Sequence, residues 1–114
     1  MQRDWQCIRT ILQALADTAT QDRSLGWGEV PPYDEETVLF HFRLLEEAGL
    51  IVGHPPGQPM IAVRPTWAGY ELLDVLNESK FWSKIKSVAK EKGIALTFNT
   101  IGMLAEHVTK HLLR

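Results

Sequence analysis

The stretch that decides the fold runs from Asp34-Glu35-Glu36-Thr37-Val38 to Leu44-Leu45-Glu46-Glu47-Ala48-Gly49-Leu50-Ile51. Asp34 reads as an N-cap, because a short acceptor side chain there satisfies a free backbone N–H. Glu35 and Glu36 suit the positive end of the helix dipole. Val38, Phe42 and Leu45 recur about one turn apart and predict the core-facing stripe of a helix reaching Ala48. Gly49 then supplies the left-handed residue that closes a helix at low cost. Beyond it, Leu50-Ile51-Val52 and Met60-Ile61-Ala62-Val63-Arg64 predict two antiparallel strands. The intervening Gly53-His54-Pro55-Pro56-Gly57-Gln58-Pro59 has no regular pattern and forms the hairpin tip.

Working outward, Trp5, Ile8, Leu12 and Leu15, with Ile11 beside them, make one apolar stripe and predict a first helix over residues 3–17. The polar run Thr18 to Ser24 ends it, and Gly26-Trp27-Gly28-Glu29-Val30 predicts a short strand stopped by Pro31-Pro32. Downstream, Thr66 caps a helix carrying Trp67, Tyr70, Leu73 and Leu76, and Asn77-Glu78-Ser79 interrupts it. Phe81, Trp82, Ile85 and Val88 mark a further helix ended by Gly93. Thr97 caps the last, whose apolar face is Ile101, Leu104, Val108 and Leu112. The expected architecture is therefore mainly α with a small β-hairpin, an α+β arrangement. Residues 1–77 form its body and residues 78–114 a helical extension packed on it, too short to be an independent domain.

Bulk composition narrows the function classes. The chain has 114 residues, 45% hydrophobic and 23% charged, which fits one soluble domain with a modest core. A net charge of -2 supplies no global basic field for nucleic acid, although a local patch remains possible. Cys7 is the single cysteine, which excludes an intrachain disulfide and favours a reducing compartment. Met1-Gln2-Arg3-Asp4-Trp5 lacks the apolar core of a signal peptide, and no apolar run is long enough to span a bilayer. A cytoplasmic chain without membrane association is expected.

The order helix, capped helix ending in Leu-x-Glu-Ala-Gly-Leu-Ile, strand, loop, strand and Arg64-Pro65-Thr66-Trp67-Ala68-Gly69 resembles bacterial winged-helix proteins, whose hairpin is called the wing. Within them the chain looks most like an uncharacterised family of short bacterial and phage or prophage proteins, domain of unknown function 2513. Three segments carry that likeness: Met1-x-Arg3-Asp4 with Ile8-Arg9-x-Ile11-Leu12; His41-Phe42-x-Leu44-Leu45 with Ala48-Gly49-Leu50-Ile51; and Thr66-Trp67-x-Gly69 with Leu72-Leu73-Asp74, followed by a Trp82 helix. The resemblance implies a winged-helix-like fold and a phage or prophage setting but no agreed activity; regulatory DNA binding is an expectation from analogy with the winged-helix fold. The sequence departs from the general pattern in one place: Asp22 to Pro32 offers no helix before the recognition helix, which weakens the expectation of major-groove docking.

The would-be reading face is unfavourable. Asp34, Glu35 and Glu36 would meet phosphates at the point of entry, and Leu39 and Phe40 have no hydrogen bonds to offer a base. Arg43 is the favourable cation there. The wing tip carries His54 and Gln58 but no Lys or Arg, while Arg64 at its base is available for bracing or for a phosphate. Positive charge gathers instead at Lys80, Lys84, Lys86, Lys90 and Lys92, which could meet phosphates without reading sequence or could be a solvated helix face. Lys84 and Lys86 are two positions apart, so a diffuse patch is one reading.

A second reading is a protein-interaction module. Leu39 and Phe40 lie outside the core stripe and are either covered by the C-terminal helices or offered to a partner. His41 beside them is either a core residue with one hydrogen bond or part of that contact. The stripe Ile101, Leu104, Val108, Leu112 would suit a homodimer. Catalysis is not expected: no Gly-rich phosphate loop or Ser-His-Asp arrangement is present, and His107 and His111, four apart, lack a third metal ligand. No metal, cofactor or small-molecule ligand is expected. The residues put forward are Arg43, Arg64, Lys80, Lys84, Lys86 and Lys90 for nucleic acid, and Leu39, Phe40 and His41 for a partner.

Overall fold

The computed structural model describes residues 1–19 and 23–112, with the backbone alone at 19, 111 and 112. The element order is α1 (Trp5–Ala19), β1 (Leu25–Gly26), a one-turn 3-10 helix (Trp27–Glu29), α2 (Glu35–Glu47), β2 (Ile51–His54), β3 (Ile61–Pro65), α3 (Trp67–Asn77), α4 (Ser79–Lys92) and α5 (Phe98–Leu112). The architecture is thus mainly helical with one small antiparallel sheet. The chain divides into two compact units, Met1–Leu73 and Asp74–Arg114. The boundary lies inside α3 rather than at Asn77, because Val75 already packs against the C-terminal cluster.

In the N-terminal unit, α1 buries Cys7, Ile8, Ile11, Leu12 and Leu15 along one side. The helix begins two residues later than its periodicity suggests. The Asp4 carboxylate accepts the N–H groups of Gln6 at 2.9 Å and Cys7 at 3.3 Å, which caps the helix from outside. It also continues past residue 17, since the Thr18 hydroxyl donates to the Leu15 carbonyl at 3.1 Å and is buried there. The expected loop residues Thr20, Gln21 and Asp22 lie outside the described residues. The segment expected as a strand over 26–30 divides in two. Leu25 and Gly26 pair with Ala62 and Ile61, then Trp27–Glu29 turn into the 3-10 helix. The Glu29 carboxylate bends back to accept from the Gly26 N–H at 2.8 Å, a local bond that favours the turn over further pairing.

α2 ends in a double hydrogen-bond closure. Gly49 (φ 74°) sends its N–H to the Glu46 carbonyl, and Leu50 sends its own to the Leu45 carbonyl at 2.8 Å. Leu50 is therefore spent on the helix end, and β2 begins at Ile51. It pairs antiparallel with β3 in the register Ile51 with Pro65, Val52 with Arg64, Gly53 with Ala62 and His54 with Ile61, with an irregularity between Val52 and Gly53. The strand order is β1-β3-β2. The hairpin tip is shorter than its Gly/Pro content suggests, because Met60 N–H donates to the His54 carbonyl and closes the ladder there. Gly53 is required: a Cβ would stand 2.6 Å from Pro59.

The link from sheet to α3 explains the Thr66-to-Gly69 spacing. The Thr66 hydroxyl donates to the Gly49 carbonyl at 2.6 Å and accepts the Gly69 N–H at 3.1 Å, while the Thr66 N–H donates to the Leu50 carbonyl at 2.9 Å. The start of α3 is thereby clipped to the end of α2. A Cβ at Gly69 would come within 2.1 Å of the Leu50 oxygen, so only glycine allows that approach.

The C-terminal unit is built on α4 packed against α5. Ile85, Val88, Ala89, Leu104 and Val108 form its buried cluster, edged by Val75, Phe81, Trp82, Leu96 and Ala105. α4 closes at Gly93 (φ 67°, ψ 30°), and Ile94 N–H donates to the Ala89 carbonyl at 2.8 Å, repeating the ending of α2. Thr97 and Thr100 cap α5 reciprocally: the Thr100 N–H reaches the Thr97 hydroxyl at 3.1 Å and the Thr97 N–H the Thr100 hydroxyl at 2.7 Å.

Candidate functional site

The residues expected to matter fall into two chemically opposite groups. α2 presents Glu35, Glu36, Arg43 and Glu47 to solvent. Asp34 caps it by accepting the Thr37 N–H at 2.9 Å; hydrogen bonding from the Thr37 side chain, and next from its backbone, holds the Asp34 carboxyl below its usual range, charged at neutral pH. Leu39 and Phe40 are half-buried. Arg43 is exposed, and Arg64 is exposed at the foot of the hairpin with Nη1 donating to the Pro65 carbonyl at 3.2 Å. Both arginines belong to the N-terminal unit.

His41 has no exposed surface. Its Nδ1 lies 2.8 Å from the Thr37 carbonyl, which can only accept, so Nδ1 carries the proton. Nε2 is then an acceptor and takes the Asp4 backbone N–H at 2.9 Å. Both ring nitrogens are satisfied, as a fully buried neutral imidazole requires, one bond more than the single one expected from the sequence. Phe40 meets the ring edge-on at 5.2 Å. The residue ties the start of α1 to the middle of α2 and presents no surface to a partner, which corrects its place beside Leu39 and Phe40.

The stripe on α5 is also spent internally. Leu104 and Val108 belong to the C-terminal cluster and Ile101 is buried, so these residues form no free dimer face; the side chain of Leu112 lies outside the described residues. The His107–His111 pair cannot be compared, because the side chain of His111 also lies outside them. Among the described residues no group of three His, Cys, Asp or Glu stands close enough to hold a metal ion. No helix among them is long and apolar enough to cross a membrane.

The lysines occupy the other group. Lys80, Lys84, Lys86, Lys90 and Lys92 are exposed on α4. Its inward side is committed to Ile85, Val88 and Ala89, which leaves one continuous polar face. Ser79, Ser83 and Ser87 recur every four residues and run down the middle of that face. Lys80 and Lys84 flank them on one side, Lys86 and Lys90 on the other. Ser79, Lys80, Ser83, Lys84 and Ser87 together line a shallow groove. Lys86 Nζ rests 5.6 Å from the centre of the Trp82 ring, a contact that steadies the long side chain. Among the described residues none of Lys80, Lys84, Lys86 and Lys90 has a carboxylate partner within salt-bridge distance. Glu91 is the helix's one acid, in its last turn.

This polarity extends over the whole units. Asp74–Arg114 contains seven Lys and Arg against four Asp and Glu, a formal charge of +3, whereas Met1–Leu73 contains five against ten, a formal -5. The overall -2 conceals the split. The serine row escaped a search for charged clusters, although the spacing Ser79-Lys80, Ser83-Lys84, Ser87 was its signal. Trp67, 81% exposed with its indole N–H donated to Glu71, is the most exposed large apolar side chain of the described residues, although it shares a helix with the buried Leu73 and Leu76. The reason is geometric: Thr66 and Gly69 fix α3 with Leu72 and Leu73 inward, which turns Trp67 and the 42% exposed Tyr70 outward.

Comparison with known proteins is consistent over most of the chain. Residues 2–95 match the family described as hypothetical protein DUF2513, a span that includes α4 and stops before α5. A protein of Haemophilus influenzae described as uncharacterized is 33% identical over 117 residues, covering 99% of both chains. No solved structure matches. With four-fifths of its length matched from residue 2 through the lysine-rich helix, the chain belongs to the DUF2513 family.

Proposed function

We propose that this chain is a non-enzymatic binding protein that engages nucleic acid electrostatically, with a winged-helix-like N-terminal unit acting mainly as scaffold. The carrying observation is the segregation of charge: the C-terminal unit is +3, with a lysine face that has no carboxylate partner among the described residues, and the N-terminal unit is -5. The winged-helix reading is supported by the order helix, strand, short helix, helix, strand, loop, strand and by the sheet order β1-β3-β2. The single 3-10 turn at Trp27–Glu29 stands where a full helix would precede the reading helix, and the acids of α2 disfavour groove entry. Fold analogy alone warrants little about function, so the charge distribution bears the weight. A cytoplasmic, phage or prophage regulatory setting is part of the same reading. A mobility-shift titration at low salt tests it: a shift with unrelated duplexes is expected, and no shift at micromolar protein with any DNA sinks the proposal.

A second reading, a protein-interaction module, draws on Trp67 and Tyr70, whose exposure leaves aromatic surface in water next to Glu71. Half-buried Leu39 and Phe40 add to it. Sedimentation of the wild type and Trp67→Ala tests this reading, which fails if both are monomers at every concentration and no partner distinguishes them.

A further inference from the structure

We infer that the Ser/Lys face of α4 is a track for successive phosphates of a nucleic-acid backbone, contacted without regard to base sequence. This deepens the nucleic-acid reading by assigning its site and ligand chemistry.

Three observations converge on one ligand. First, the groove offers two kinds of donor in register: hydroxyls of Ser79, Ser83 and Ser87 along its middle and the ammonium groups of Lys80 and Lys84 beside them. Side chains four residues apart on a helix are separated by about 6 Å along its axis, a spacing of the order of that between neighbouring phosphates of one strand. Serine hydroxyls and lysine ammonium groups are ordinary phosphate contacts, and neither reads a base from the backbone. Second, among the described residues these lysines have no carboxylate partner, so there an incoming polyanion displaces counterions and no internal ion pair. Third, the opposite side of α4 is buried against α5 through Ile85, Val88 and Ala89. A lysine-rich helix that lies in a membrane needs a free apolar side to insert, and this one has none to give. That favours nucleic acid over an anionic lipid surface.

The face is poor in the planar side chains that read base edges most selectively. It has no Asn, Gln or Arg to make paired hydrogen bonds with a base edge. Binding is therefore expected to depend strongly on salt and weakly on sequence.

The test uses the full chain, a short fluorescein-labelled duplex and anisotropy titrations across a salt series. Lys80→Gln with Lys84→Gln is expected to weaken binding at low salt at least tenfold and to reduce the slope of log affinity against log salt by about 2, roughly one per phosphate contact removed. Ser79→Ala, Ser83→Ala and Ser87→Ala together are expected to weaken binding a few-fold with the slope unchanged, because a hydroxyl releases no counterion. Alanine is favourable on an exposed helix, so this variant should fold at least as well as the wild type. Lys110→Gln, at a lysine paired with Glu106 on α5, should change neither quantity. If the duplex binds but the α4 variants keep the wild-type slope and affinity, the track is refuted while the nucleic-acid reading stands. If no duplex binds at all, the nucleic-acid reading falls first and takes the track with it. Competition by unrelated duplexes at equal strength supports the track, and strong preference for one sequence overturns it. Tighter retention by phosphatidylserine vesicles than by duplex also overturns it, in favour of a membrane surface.

Discussion

α2 and α4 are close to the same object in backbone terms and opposite in chemistry. They have 13 and 14 residues, each buries one apolar side, and each ends in a left-handed glycine with the same carbonyl closure. α2, the reading helix of the proposed winged-helix arrangement, carries Glu35, Glu36, Glu46 and Glu47 against Arg43 alone. α4 carries five lysines against Glu91. Two helices of similar length, core side and ending can therefore carry opposite charge on their outward faces. Shape and caps are settled by a few local residues, whereas the outward residues are free to take either sign.

That comparison can be broken by loosening α2 from its supports. Gly69→Ala has the largest expected effect, because its Cβ would collide with the Leu50 oxygen at the end of α2. A loss of about 3 kcal/mol in unfolding free energy is expected, at the upper end for overpacking, read by urea denaturation; an unchanged midpoint would show that α3 is not clipped there.

His41→Ala comes next. It strands the Asp4 N–H and removes a buried ring, and roughly 2 kcal/mol should be lost. The far-ultraviolet spectrum should keep its helical form, since the local caps of α2 are untouched. Wild-type stability in this variant would mean that the Asp4–His41 tie contributes nothing.

Converting Glu35 and Glu36 to Lys sharpens the comparison from the other side. If charge alone separates the two helices, this variant should bind duplex a few-fold more tightly at low salt and still without sequence preference. Acquisition of sequence selectivity would show instead that α2 is a reading helix held silent by its acids.

The smallest effect concerns pH. Burial, reinforced by the Asp4 charge, pushes the Cys7 thiol up to about 12 from 9.0. The folded state then retains a proton that the unfolded chain releases, so stability is at its full value below pH 9 and declines as pH rises from about 9 towards 12. Tyr33, raised chiefly by burial, adds a decline of the same sign. Unfolding midpoints measured across that window should fall more gently in Cys7→Ala. Rapid alkylation of the native thiol at pH 8 would contradict the burial.

Much of this was legible in the residues because the signals are short-ranged. Asp34, Gly49, Gly93 and Thr97 each fix a helix end through hydrogen bonds to neighbours a few positions away, so spacing alone located those ends. The lysines of α4 were equally plain, since a count along the chain suffices. Errors arose where local signals competed. Asp4 and Thr18 shifted α1 by bonding to its own backbone, and the Glu29 carboxylate turned an expected strand into a 3-10 helix.

The sequence by itself therefore determined the elements, their caps and the separation of acidic from basic stretches. Tertiary structure alone decided which side chains are spent and which are left over. His41 became a buried tie because its second partner, Asp4, is 37 residues away. Ile101, Leu104 and Val108 turned inward, and Trp67 was left in water because Thr66 and Gly69 fix how α3 meets Gly49 and Leu50. Such outcomes rest on contacts between segments distant along the chain, and periodicity, which records only that a helix has two sides, does not say which neighbour will cover either one.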